Sequence, residues 1–560
     1  MQWRRQSMKV NPGNHLAAAP FNLDASSLAW VQATFERLSP DERLAQLFVL
    51  RSGVGTAEFA SIKQFQPGGI TAVFGPNPQA ELANIAALKA ACVVPPLISA
   101  DLEGSHLSLP FGTEVPNPLG LAAVDDLQAT TDISRIMAEE ACASGINWSF
   151  TPVLDINAAF RSAIVATRGF GSDVESIARH AFKQIEVFQR HGVAATAKHW
   201  PGEGFDDRDQ HLVTTVNPLS LDQWDATFGT LYRGAIDAGV LSVMSGHIAF
   251  PAFIRSLDPQ AGLEAFRPAS ISHHLNITLL REKLGFNGLI VSDATSMAGL
   301  TSWCRREDAI PQVIAGGCDV ILFSNNPQGD LAALQKAIAR GDLAQSRVDD
   351  AVLRVLGLKA ALGLHRPAAP VSAVWGTPQN KALAQAVTAR MPTLVKDTQA
   401  LLPLTPARHR RVLVITPGIV MPFMAQPIPF LLPELLAQKG FEVTLHDAST
   451  EVSRDQFDLV LYLFGDETLL TRGHIFIDWL RLTGSFRKAM QRYWHDIPTL
   501  MVSFGFPYLL YDAPRVPTYI NAYATTESTQ HAVVEALLGH TPWNTHNPVD
   551  PFCGLEDAQY

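Results

Sequence analysis

Nowhere in the chain do eighteen uncharged apolar residues run together, so nothing in the sequence predicts a membrane-spanning helix. Cysteine is scarce: Cys92, Cys142, Cys304, Cys318 and Cys553 are odd in number, scattered and without CxxC spacing. That pattern argues against a disulfide framework and reads as small buried hydrophobes in a reducing compartment. Positive charge is in deficit, with 43 Lys and Arg against 53 Asp and Glu, a net charge of -10 and a pI near 5.9. A nucleic-acid or anionic-membrane partner would want a basic face, which this balance does not supply. The stretch Met1 to Phe21 holds Arg4 and Arg5, then Ser, Lys, Asn, Pro and Gly where a signal peptide needs an apolar core. The expectation is a cytoplasmic protein with a flexible leader over residues 1–25. A Walker A pattern, a GxGxxG after a strand and an HExxH pair are all missing, so neither a nucleotide nor a metal cofactor is expected.

What the chain does hold is core. At 560 residues and 47% hydrophobic it exceeds one ordinary core and suggests two domains. Over residues 26–365, short apolar runs alternate with amphipathic helical patterns. The runs are Gln46 to Leu50, Gly69 to Gly75, Pro95 to Ala100, Ile146 to Leu154, Gly192 to Lys198, Val240 to His247, Gly288 to Ser292 and Cys318 to Phe323. Between them lie helices such as Val174 to Arg190, with Ser172 and Glu175 read as its capping box. Eight alternating units predict an α/β fold, a (β/α)8 TIM-type barrel.

After Leu364 the texture changes. Residues 366–392 read as a Pro- and Ala-rich linker with a helix over Asn380 to Arg390. Residues 393–560 then read as a smaller three-layer α/β sandwich. Its strands are Val412 to Thr416, Phe441 to Leu445, Leu459 to Phe464, Leu500 to Phe504 and Tyr519 to Tyr523, and its helices include Phe430 to Lys439 and Thr529 to Leu538. Asp466 and Asp512 end strands there, but the domain reads as structural or oligomeric in duty, and a homo-oligomer stays open.

Polar groups gather where the barrel runs end. Asp101 and Glu103 follow the third, Asp155 and Asn157 the fourth, Ser245-Gly246-His247 closes the sixth, and Asp293 follows the seventh. In a barrel these ends share one mouth. The fifth run is the densest: Lys198-His199-Trp200-Pro201-Gly202-Glu203-Gly204 leads into Asp206, Asp207, Arg208, Asp209, Gln210 and His211. An acidic run of this kind is usually a solvated turn. Its place at a buried strand end favours a site instead, because the strand fixes position and the loop supplies groups. A metal site of His199, Asp209 and His211 is a lesser alternative.

The segments FTPVLDIN (Phe150 to Asn157), RGFG (Arg168 to Gly171), KHWPGEG with its later DxH, RPAS (Arg267 to Ser270) and LGFNGLIVSDATSM (Leu284 to Met297) together resemble the signature run of family 3 glycoside hydrolases. They are most similar to its β-N-acetylglucosaminidase (β-hexosaminidase) branch. The resemblance implies a retaining exo-glycosidase on a barrel that releases a terminal β-linked N-acetylglucosamine or related sugar through a covalent glycosyl-Asp intermediate. It makes Asp293 the nucleophile, His211 the general acid/base and Asp209 its orienting partner. Asp101, Arg168, Lys198 and His199 correspond to the groups that grip the terminal sugar. Three departures fall on neighbouring residues: Ala294 stands where the branch has an acid, Glu203 where it has a His in PGHG, and Ser105 to Leu109 where it has arginines.

The chemistry is consistent with those residue types. Glycoside cleavage with retention needs a carboxylate below the anomeric carbon and a proton donor nearby. A histidine, with an ordinary pKa near 6.5, both gives and takes protons near neutrality, and a neighbouring carboxylate fixes its tautomer. Glu203 is a rival donor. A β-glucosidase, a phosphorylase in which phosphate replaces water, and a weakened sugar-binding protein remain as alternative readings. The partner in each is a carbohydrate, a β-linked amino sugar or oligosaccharide.

Overall fold

The computed structural model describes residues 14–52, 56–367 and 374–560. Eight parallel strands form the first domain: β1 (Phe48–Ser52), β2 (Gly69–Ala72), β3 (Leu97–Ala100), β4 (Trp148–Ser149), β5 (Thr196–Trp200), β6 (Ser242–Ser245), β7 (Leu289–Ser292) and β8 (Ile321–Leu322). Ladders run β8-β1-β2-β3-β4 and β5-β6-β7. Parallel bridges Trp148↔Ala194, Val153↔Lys198 and Val291↔Val320 join the two sets into a closed ring. The architecture is the expected (β/α)8 barrel. Apart from Arg51 and Ser52 at the end of β1 its strands are buried, which is why they read in the sequence as apolar runs rather than as alternation.

Local differences have local causes. The fourth run is regular only at Trp148–Ser149, since Pro152 brings no N–H to a ladder. Helix Val174–Arg190 is present, but its cap is Asp173, whose carboxylate accepts the Ser176 N–H at 2.7 Å, not Ser172 with Glu175. Ser172 is occupied elsewhere: its hydroxyl donates to the Pro548 carbonyl. The leader expectation fails for residues 14–25. Leu16, Phe21 and Leu23 are buried in the main core, and Asn287 donates to the carbonyls of His15 and Ala19. Residues 1–13 lie outside the described residues.

The second domain is one mixed sheet flanked by helices. Its main strands are β9 (Thr393–Asp397), β10 (Arg411–Ile415), β11 (Glu442–Leu445), β12 (Leu459–Asp466), β13 (Thr499–Ser503) and β14 (Thr518–Asn521), in the order β9-β14-β13-β12-β10-β11. Only β9 runs antiparallel, against β14. The helices Leu432–Gln438 and Glu527–Leu537 pack together against the sheet. Among the described residues no helix is long and apolar enough to cross a membrane.

The domains share a core. Leu119, Ala123, Ala163 and Ala166 of the barrel belong to the same buried cluster as Tyr462, Phe464, Leu469 and Tyr508. A polar tie lies beside it. Glu467, just beyond β12, accepts from Ser105 Oγ at 2.8 Å and from Asn117 Nδ2 at 3.2 Å, while Thr525 donates to it from its own domain. His106 reaches both Thr525 and Glu467. Ser105 and His106 therefore bind the second domain.

Candidate active site

Two clusters sit at the barrel mouth. The first begins with Glu103, after β3, a side chain only 2% exposed. Its carboxylate receives Arg168 in a fork at 2.8 and 2.9 Å and Lys198 Nζ at 2.7 Å; Lys198 also reaches Asp101 at 2.9 Å. Burial opposes the charges of Glu103, Arg168 and Lys198. For Glu103 the pull of Arg168 and Lys198 overcomes burial and drives its pKa far below the carboxylate range. For Arg168 and Lys198 the carboxylates likewise overcome burial and raise the pKa. Three of the predicted sugar-gripping residues, Asp101, Arg168 and Lys198, are thus brought together by an acid that sequence reasoning had not placed in the site. Its signal was its position two residues after Asp101. Beside it opens a cavity of about 110 Å³, walled on the far side by Val420, Met421, Phe423 and Leu470 of the second domain.

Glu103→Ala removes the carboxylate that holds buried Arg168 and leaves Lys198 with Asp101 alone. The expected cost is about 3 kcal/mol of folding stability, measured by denaturant unfolding. A cost under about 1 kcal/mol, the range of an exposed pair, would contradict this account of the cluster.

The second cluster belongs to the loop after β5. Its course depends on Gly204, at φ +110°, where a Cβ would lie 1.9 Å from the Ile156 carbonyl oxygen. His199 Nδ1 donates to Asp155 at 2.6 Å, and the backbone N–H groups of His199 and Glu203 donate to the other oxygen of Asp155. His211 Nδ1 donates to Asp209 at 2.7 Å, and the His211 N–H donates to the same oxygen at 2.8 Å. The three residues weighed as a lesser, metal-binding alternative, His199, Asp209 and His211, are not grouped together. Each histidine has its own carboxylate, and the compact triad is Asp155, His199 and Glu203. Asp155, like Glu103, was read from the sequence as a strand-end group at the mouth but was given no role in the site.

Glu203 is fully enclosed, accepting from Gln210 Nε2 at 2.8 Å and Thr215 Oγ1 at 3.3 Å. Burial, with Asp155 and Asp209 adding repulsion, raises its pKa well above the usual value. Asp293, directly after β7, is 8% exposed. Its carboxylate accepts the Ala294 N–H at 2.7 Å, and its own N–H donates to Ser245. Burial works against its charge, but His199, His247 and His211 more than offset this and hold its pKa below the ordinary aspartate value. His247 itself is structural in its contacts, bonded to Ser270 Oγ and the Ala294 carbonyl.

Asp466 and Asp512 lie elsewhere. Burial lifts Asp466 to about 7, and Asp512 accepts the Ile477 N–H at 2.8 Å within its own domain.

A barrel whose mouth pairs a buried Arg-Glu-Lys cluster with an ionised aspartate and a carboxylate-held imidazole suits a hydroxyl-rich substrate and proton transfer to it. That describes the carbohydrate-cleaving enzymes. The chain belongs to glycosyl hydrolase family 3: the model of that family's N-terminal domain matches residues 39–358. It is 39% identical over 568 residues to a β-N-acetylglucosaminidase/β-glucosidase of Cellulomonas fimi, covering 97% of this chain and 99% of that one. A β-hexosaminidase of Vibrio cholerae is 31% identical over 50% of this chain and 82% of its own length. Among solved structures, a β-glucoside phosphorylase superposes with a TM-score of 0.90 at 33% identity, over 96% of this chain and 99% of that one. The protein is a glycosidase acting on β-glycosides.

Proposed function

We propose that the protein is a retaining, exo-acting enzyme that removes a terminal β-linked N-acetylglucosamine through a glycosyl-Asp293 intermediate. The observation that carries this is the pairing of an ionised Asp293 with the Asp209–His211 dyad at one barrel mouth. Asp293 attacks the anomeric carbon while His211 gives its Nε2 proton to the leaving oxygen; His211 then takes a proton from the acceptor that releases the sugar. Asp209 stabilises the imidazolium before the first step and as it re-forms in the second, and between them it holds the neutral ring with Nδ1 protonated. Asp101, Glu103, Arg168, Lys198 and His199 hold the terminal sugar. The name of the Cellulomonas relative includes both amino-sugar and glucoside cleavage, and the DxH loop inclines the choice to the amino sugar. Rates on nitrophenyl β-N-acetylglucosaminide and β-glucoside test it; a clear preference for glucose overturns it.

Phosphorolysis is the second reading, and a specific feature favours it. The proposed acid/base carries no negative charge, and Glu203 is buried with a raised pKa, so neither repels an incoming phosphate as an ionised carboxylate would. The likeness to the β-glucoside phosphorylase points the same way. Phosphate that speeds turnover and yields a sugar 1-phosphate selects this reading; free sugar alone rejects it.

The Asp293 environment fixes an acid limit. Asp293 must be ionised to attack, and His199, His247 and His211 hold its pKa below the ordinary carboxylate value in spite of burial, so the acid limb of kcat/KM should lie below that of an unperturbed aspartate. His199→Asn, which removes a group that lowers this pKa, should shift the acid limb upward. A limb already centred near pH 5 in the native enzyme would contradict the environment described.

A further inference from the structure

The catalytic loop is not held by the barrel alone. Asp209 is a buried carboxylate with a 1% exposed side chain, and its two oxygens are divided between the domains. Oδ1 takes both N–H groups of His211, and Oδ2 takes the backbone N–H of Thr471 at 2.9 Å. Thr471 sits on a short arm of the second domain beyond β12. Next to it, the Leu469 N–H donates to the Ala163 carbonyl at 3.1 Å, and the hydroxyls of Thr468 and Thr167 lie 3.2 Å apart. The far end of the arm returns to its own domain, where Ile475 and Ile477 enter the core. Thr471 has φ +64°, a region that a β-branched residue avoids unless contacts impose it. Its side chain is exposed, so what the position delivers is the amide.

We propose that this amide makes Thr471 a positioning residue for the general acid: the second domain fixes the rotation of Asp209, and through it the aim of the His211 ring. This rests on His211 being the proton donor. Among the described residues, His211 has one ring hydrogen bond, to Asp209, so the carboxylate's rotation sets the direction of Nε2. Without the Thr471 N–H, one oxygen of Asp209 is left buried and unpaired, and the carboxylate turns to find another donor. The imidazole turns with it. The second domain thereby acquires a duty in the reaction while contributing no group that touches the reacting atoms.

The test compares an amide-to-ester replacement at Thr471, its α-hydroxy acid analogue, which lacks the N–H and keeps the positive φ, with Thr471→Gly, which keeps the N–H. For the ester, kcat/KM should fall about tenfold on a disaccharide and less than about twofold on a dinitrophenyl glycoside, because only the poor leaving group needs the aimed proton. Thr471→Gly should stay within about twofold on both. Added to Asp209→Ala, the ester should cost less than about twofold more, since its partner is gone. Equal losses on both substrates, or a full penalty persisting without Asp209, overturn the proposal. Hydrogen exchange keeps it testable if the ester variant does not fold. In the native enzyme the Thr471 amide should be protected, and Asp209→Ala should remove that protection at least about tenfold; an amide that exchanges freely in the native enzyme overturns it. Were His211 not the donor, His211→Ala would lose both substrates equally while the Asp209-dependent protection persisted, so the two failures are distinguishable.

Discussion

Asp293→Ala is expected to lower turnover by roughly a thousandfold or more in a protein that still folds, because it deletes the group assigned to attack. The aspartate follows β7, where its N–H is tied to Ser245 and its carboxylate to the Ala294 N–H. That leaves the carboxylate fixed at its base and available at its free oxygen. Truncation removes a charge that His199, His247 and His211 favour against the cost of burial, so circular dichroism checks that the variant is still folded. A small anion such as azide should enter the vacated space and partly restore activity, yielding the α-glycosyl azide from a β-glycoside by one displacement instead of two. A loss below tenfold, under about 1.4 kcal/mol of transition-state stabilisation, would mean that another group attacks.

His211→Ala should impose a penalty that scales with the basicity of the leaving group. A dinitrophenolate departs with little help, whereas a sugar alkoxide needs protonation worth about 10²- to 10⁴-fold. The disaccharide rate should therefore collapse while kcat/KM for the activated aryl glycoside changes little. Asp209→Asn should show the same trend more mildly, since the imidazole remains but loses its anionic partner. Glu203→Gln separates the rival donor. Glu203 is enclosed by Gln210 and Thr215 and its pKa is raised, so the neutral amide should replace it with less than about threefold effect on either substrate. If Glu203→Gln gave the leaving-group-dependent loss and His211→Ala lost both substrates equally, the donor would be Glu203.

The barrel was legible because its strands are buried on both faces and write themselves as apolar runs; β7 was read at Gly288 to Ser292 and observed at Leu289–Ser292. β9 was not legible, since Thr393–Asp397 ends in Lys and Asp and owes its pairing to β14 rather than to its composition. The cap at Asp173 was missed because adjacent Ser172 and Asp173 are both good caps, and only the Pro548 carbonyl decides between them by engaging Ser172. In the site, the sequence suggested which loops converge but not which charges pair. Glu103 gains its role from Arg168 and Lys198, distant residues that the fold alone brings to it. The segregation of the two histidines onto separate carboxylates followed from loop geometry that spacing could not specify. The Thr471 contact left no trace at all, because a backbone amide has no residue signature.

The identity of the nucleophile decides the mechanism. A slowly hydrolysed fluorinated β-glycoside, incubated with the enzyme and followed by intact mass and peptide mapping, reads it out. One glycosyl unit per chain, on the peptide carrying Asp293 and absent from Asp293→Ala, is the predicted result; an adduct on the peptide carrying Glu203, or no adduct together with an inverted product, would contradict it.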